Sequence, residues 1–284
     1  MVKRITVILV FLLLPFLLLT SKAQSKTAAG NLFIIGGGNR SEVLMKQLIE
    51  TANLRTDDYI VVLPMASAQS EAGFELINRQ LSKHTGVKIR NFDFAQRGDN
   101  NIRWVDSLGN ARLIYILGGD QSRFMKTVIN TPIYKAIHKA YQQGGTIAGT
   151  SAGAAVMSRY MITGQQKKDT VYRETFDKLW TDNVVFEEGL GLLQDVIIDQ
   201  HFIKRSRFNR LLSALADKPD LVCIGVDEGT AIIVKGENAI VAGESQVVRL
   251  ARLEGNGKTP EGLLKFRDVQ FGLFTAGDVI NLRH

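Results

Sequence analysis

The chain has 284 residues, 45% hydrophobic and 22% charged, a balance that suits one sizeable folded core and excludes a disordered or low-complexity chain. Its formal net charge of +7 drops to +4 once residues 1–23 are removed, because they hold Lys3, Arg4 and Lys22 and no acid. No basic-aromatic stripe marks a nucleic-acid partner, and the single cysteine, Cys223, permits no internal disulfide.

In chain order, Lys3 and Arg4 precede an apolar run from Ile5 to Leu19, and Ser21-Lys22-Ala23 follows with small residues. These are the three parts of a signal peptide cut after Ala23. The run is short of the roughly 20 residues a membrane span needs. The expectation is a leader over 1–23, one domain over 24–284, a secreted or periplasmic location and no membrane anchor after cleavage.

Short apolar runs then alternate with helical patterns. Strands are expected at Leu32–Ile35, Tyr59–Leu63, Val87–Phe92, Leu113–Leu117, Gly145–Ala148, Val196–Asp199 and Leu221–Val226. Helices fall between them, such as Ser41–Ala52 with Leu44, Met45, Leu48 and Ile49 as its apolar stripe. This alternation predicts an α/β fold, a mostly parallel sheet sandwiched by helices. After Glu228 no helix intervenes between Ala231–Lys235, Ala239–Gly243 and Val247–Leu250, which read as an antiparallel β meander. The polar segment from Thr163 to Glu188 is long for a loop and is expected to act as a flap near the site. Gly36-Gly37-Gly38 invites a dinucleotide reading, but Ser41 stands where G-x-G-x-x-G needs its third glycine.

Gly149-Thr150-Ser151-Ala152-Gly153 follows a buried strand and has the G-x-S-x-G pattern of a nucleophile elbow, where small neighbours let a serine stand clear of the sheet. A serine nucleophile needs a base. Of the four histidines, His84 sits in a polar helix end, His138 on an expected solvated helix face and His284 at the last position. His201 alone ends a strand and opens a helix, in Asp199-Gln200-His201-Phe202, where open α/β sheets gather catalytic groups. For the oxyanion, the candidates are the backbone N–H of Ala152 and those of Gly119 and Asp120 after the strand ending at Leu117. Arg205, Arg207 and Arg210 are expected within one helix, the last two sharing a face, and guanidinium groups hold carboxylates. Asp199, Asp227 and Glu228 are expected to meet cationic groups of the same substrate. No metal-ligand cluster is evident.

Taken together, Ile35-Gly36-Gly37-Gly38, Leu117-Gly118-Gly119-Asp120-Gln121, the elbow continuing through Ala154-Ala155-Val156-Met157, Gly189-Leu190-Gly191, Asp199–Phe202 with the arginines behind it, and Gly225-Val226-Asp227-Glu228-Gly229-Thr230-Ala231 resemble the cyanophycinases. These belong to the serine peptidase group that also contains aspartyl dipeptidase (peptidase E). The resemblance implies a flavodoxin-like fold similar to class I glutamine amidotransferase domains, and Ser151 as nucleophile with His201 as base. It also implies a third, carboxylate member carried over to Asp169, with Glu174, Glu187 and Glu188 as substitutes. Implied too are substrate contacts from Gln121, Gln200 and the arginines, no cofactor, frequent dimerisation, and a cyanophycin substrate released as β-aspartyl-arginine dipeptides. A related aspartyl dipeptidase or isopeptidase is the alternative, followed by a non-catalytic protein that binds acidic peptides.

Overall fold

The computed structural model describes residues 30–98, 101–168, 171 and 173–284. The expected leader therefore lies outside the described residues. Five strands, β1 (Asn31–Ile35), β2 (Tyr59–Leu63), β3 (Lys88–Asn91), β4 (Leu113–Ile116) and β5 (Thr146–Thr150), alternate with α1 (Glu42–Ala52), α2 (Ser70–Ser82), α3 (Phe94–Arg97), α4 (Ile102–Gly109), α5 (Gln121–Val128) and α6 (Pro132–Gln142). A short α7 (Ala152–Ala155) follows β5, and β6 (Tyr160–Gln166) pairs antiparallel with β7 (Val184–Glu188). Then come β8 (Val196–Gln200), α8 (Phe208–Asp217) and β9 (Val222–Val226). The chain closes with β10 (Thr230–Lys235), β11 (Asn238–Gly243), β12 (Val247–Glu254), β13 (Gly257–Lys258), β14 (Leu264–Lys265), β15 (Asp268–Phe274) and β16 (Val279–Asn281).

The main sheet has the order β16-β11-β10-β1-β5-β4-β2-β3. Strands β1 to β5 run parallel, and β10, β11 and β16 add on antiparallel beyond β1. The β2 to β5 strands follow the 2-1-3-4 arrangement of flavodoxin-like sheets, with β1 in the fifth place. Successive side chains point to opposite faces: Leu32, Ile34, Ile114, Ile116 and Ile147 enter one core, and Phe33, Ile35, Leu113, Tyr115 and Ala148 the other. Helices α1 and α2 cover the second face through Leu44, Met45, Leu48, Ile77 and Leu81. Ser41 begins α1 as its cap, its hydroxyl accepting from the Leu44 N–H at 3.3 Å.

Two expectations change in detail. The strands expected at Val196–Asp199 and Leu221–Val226 leave the main sheet and form a second one, ordered β15-β12-β9-β8. The three-strand meander is divided: β10 and β11 extend the main sheet, whereas β12 crosses to pair with β9. One face of the second sheet packs on α8 through Ile197, Cys223, Val248, Leu211 and Leu215, and the other joins the main core through Ile198, Ile224 and Val247. The carboxyl ends of β1, β4, β5 and β8 thus converge around Ser151, which Ile35, Gly118 and His201 approach from three of them.

Candidate active site

Ser151 leaves β5 with φ 54° and ψ −112°, a strained backbone conformation for a residue with a side chain. Its N–H is tied to the Ile35 carbonyl at 3.0 Å, while the following residues turn directly into α7. A side chain at Gly149 would lie 2.1 Å from the Gly153 carbonyl oxygen, so the tight return of the elbow depends on the small residues on either side. The Ser151 Oγ lies 2.7 Å from His201 Nε2, and His201 Nδ1 lies 2.6 Å from Glu228 Oε1. A carboxylate only accepts, so Nδ1 carries the hydrogen and Nε2 is left to accept the Ser151 hydroxyl proton.

His201 is itself held at φ 49°, with its N–H donating to the Gly36 carbonyl at 2.7 Å. The triple glycine is the floor of this arrangement. A Cβ on Gly37 would come 2.3 Å from the imidazole Cε1, and one on Gly38 would come 2.7 Å from the Cβ of Glu228. Gly37 and Gly38 also take φ of +115° and +68°, which glycine adopts without strain. The motif that suggested a dinucleotide is therefore the seat of the histidine and its carboxylate. Burial holds the His201 pKa below its ordinary value, helped by the charges of Arg205 and Arg207 and opposed by Glu228. The neutral, proton-accepting imidazole is favoured as a result.

Beside the elbow, Gly119 has φ +139° and comes so close to the Ala66 carbonyl that no side chain fits. Asp120 cannot serve as expected at the oxyanion, because its N–H donates to the Ala66 carbonyl at 2.9 Å and its side chain caps α5 through the Arg123 N–H. Ala152, at the first position of α7, has an N–H that no intrahelical carbonyl takes up. The Ser151 to Glu228 chain opens on a cleft of about 520 Å³ whose walls include Gly119, Gln121, Thr163, Gln200, Arg205 and Arg210.

A model of Peptidase family S51 matches residues 32–242. The chain belongs to peptidase family S51. It is 33% identical over 205 residues to a cyanophycinase of Nostoc sp. (strain PCC 7120 / SAG 25.82 / UTEX 2576), covering 70% of this chain and 66% of that protein. The chain thus spans just under two thirds of that relative's length. It is 32% identical to a cyanophycinase of Geminocystis herdmanii (strain PCC 6308) over 195 residues, 68% of this chain and 69% of the relative. The crystal structure of a peptidase from an acI-B1 Actinobacterium superposes with a TM-score of 0.63 at 25% identity, over 90% of this chain and 98% of the other.

In this S51 chain the carboxylate on the imidazole is Glu228, which is therefore not the substrate contact expected of it. Asp169, the expected third member, lies outside the described residues. Of its substitutes, Glu187 lines the cleft, Glu174 stands 3.7 Å from Arg205, and Glu188 lies at the end of β7. Asp199 does not face substrate. It is buried, and its carboxylate is gripped through both oxygens by Arg210, with the Nε bond at 2.9 Å. Arg207 donates to the Gln200 carbonyl and side-chain oxygens at 2.6 and 2.5 Å and stands 3.7 Å from Asp199. Arg205 and Arg207 precede α8 rather than lying within it, yet all three arginines line the cleft. Two guanidinium groups share one buried carboxylate, so this wall remains cationic.

Asp227 is likewise structural. One oxygen accepts the Lys204 N–H at 2.8 Å and the other the Ser245 hydroxyl at 2.6 Å, pinning the turn after His201 to the strand end that carries Glu228. Gln121 donates to the Ile162 and Thr163 carbonyls at 2.9 and 3.1 Å, which fixes β6 against α5. Thr163, Gly164, Gln165 and Glu187, from the two ends of the expected flap, line the cleft. His138 is not on a solvated face: burial lowers its pKa, and its Nε2 meets the Leu190 carbonyl at 2.8 Å. Among the described residues no group of three His, Cys, Asp or Glu side chains is placed to hold a metal ion, and no helix is long and apolar enough to cross a membrane.

Proposed function

We propose that the protein is a serine-type exopeptidase that hydrolyses cyanophycin, an aspartate polymer with arginine on its side chains, to β-aspartyl-arginine. The observation that carries this reading is the continuous Ser151–His201–Glu228 hydrogen-bonded chain at the rim of a cleft with a cationic wall. Similarity to cyanophycinases over some 70% of the chain supports the substrate class. Ser151 Oγ attacks the scissile carbonyl carbon as His201 Nε2 takes its proton. The developing oxyanion is met by the Ala152 and Gly119 N–H groups. His201 returns the proton to the leaving nitrogen as the C–N bond breaks, and water, deprotonated by the same imidazole, then releases the acyl group from Ser151. Glu228 holds the tautomer and stabilises the imidazolium. Arg205 and its neighbours meet substrate carboxylates. The composition of residues 1–23 supports export before this activity is exercised.

The test is release of β-aspartyl-arginine from purified cyanophycin, with Ser151→Ala alongside. Dipeptide from the wild type and none from the variant is expected. A folded wild type that releases none, but cleaves aspartyl dipeptides, removes cyanophycin as the substrate.

A further inference from the structure

The cleft does not end at the elbow. Past Ser122 and Glu187 it continues into a second hollow of about 430 Å³ between α5 and β7, whose walls also carry Met125, Lys126, Ile129 and Glu188. Lys126 stands on the helix wall and Glu187 and Glu188 on the strand wall. All three are exposed, and among the described residues none of their charged groups has a hydrogen bond or ion pair. Opposite charges that line one groove without pairing leave room between them for a ligand bearing both signs. Glu187 and Glu188 also border a third hollow of about 380 Å³ whose walls carry Arg159 and Lys218, so both signs of charge line it as well.

We propose that the groove between α5 and β7 is an extended subsite for a zwitterionic polymer, in which Glu187 and Glu188 receive guanidinium groups and Lys126 a carboxylate from repeat units beyond the one being cleaved. This rests on the peptidase reading above and adds to it a preference for long chains. The contacts are solvent-exposed, so each is weak, and a polymer gains from several at once. They are also screened by salt, as the buried arginine pair in the cleft is not.

The experiment compares Lys126→Glu, Glu188→Lys and the double variant with the wild type on two substrates, long cyanophycin and a fragment of two repeat units with one scissile bond. Neither residue lines the catalytic cleft. The double variant is expected to raise KM for the polymer roughly three- to tenfold, with kcat/KM on the two-unit fragment within about twofold of wild type and the polymer defect shrinking as salt is added. Wild-type KM on the polymer, or equal losses on both substrates, would overturn the proposal. A wild type that cleaves neither substrate would instead remove the peptidase reading on which it stands.

Discussion

Replacing Glu228 by Gln keeps the shape of the side chain that meets His201 and removes its charge. The bond lost is 2.6 Å long, to an imidazole whose side chain is only 11% exposed. A hydrogen bond to a charged group contributes about 1.5–3 kcal/mol, which at 1.36 kcal/mol per decade is roughly 10- to 150-fold in rate. That is a lower bound, because an amide can also donate to Nδ1 and so stabilise the wrong tautomer; neutralising the acid of a Ser-His-Asp triad costs about 10⁴ in kcat. The expected loss therefore lies between about 10² and 10⁴ in kcat, with little change in KM, since the imidazolium exists only along the reaction path. Initial rates of dipeptide release over a range of cyanophycin concentrations measure it, with Asp169→Asn as the companion. That companion is expected to lose less than about tenfold, or 1.36 kcal/mol. A Glu228→Gln enzyme within about threefold of wild type, well under one decade, or an Asp169→Asn enzyme equally impaired, would refute the assignment of the carboxylate.

Arg205→Gln removes one of the charges that depress the His201 pKa. The imidazole must be neutral to accept the serine proton, so raising its pKa moves the acid limb of the kcat/KM profile to higher pH; an unmoved or lowered limb would contradict the electrostatic picture. Gly37→Ala places a Cβ 2.3 Å from the His201 ring at a backbone φ of +115°. Displacing the base by about an ångström costs on the order of 10² in rate, and near-wild-type turnover would show that the ring does not rest on this glycine. Asp199→Asn breaks a buried pair in which Asp199 and Arg210 are 1% and 3% exposed. Urea unfolding is expected to show about 3–5 kcal/mol of destabilisation, and a change under about 1 kcal/mol would mean that Arg210 finds another partner.

Most of the parallel strands were legible because they are buried on both faces and read as unbroken apolar runs, as in Tyr59–Leu63 and Val222–Val226, whereas the half-exposed β3 is polar at Lys88, Arg90 and Asn91. Ser151 and His201 were legible for a related reason: both stand at the carboxyl end of such a run. The C-terminal strands β15 and β16, which close the two sheets at one edge each, were not. In β15 the apolar Phe271 and Leu273 stand exposed along with Asp268 and Gln270, so Asp268–Phe274 shows no clean alternation of buried apolar and exposed polar positions. Glu228 was visible as a residue but not as a partner of His201, because its place follows from the pairing of β10 with β1, which folds the β9–β10 turn onto Gly38. Distance along the chain from Ser151 carries no information about that contact. The same holds for Asp199 and Asp227, which look like free carboxylates until the tertiary structure supplies Arg210 and Ser245.

The most direct measurement is covalent labelling by a fluorophosphonate probe, read by mass mapping of the modified peptide, in the wild type, His201→Ala and Glu228→Gln. Stoichiometric modification of Ser151 in the wild type, none in His201→Ala and slowed modification in Glu228→Gln are expected if the three residues work as one assembly. Labelling at another serine, or equal rates in all three proteins, would contradict it.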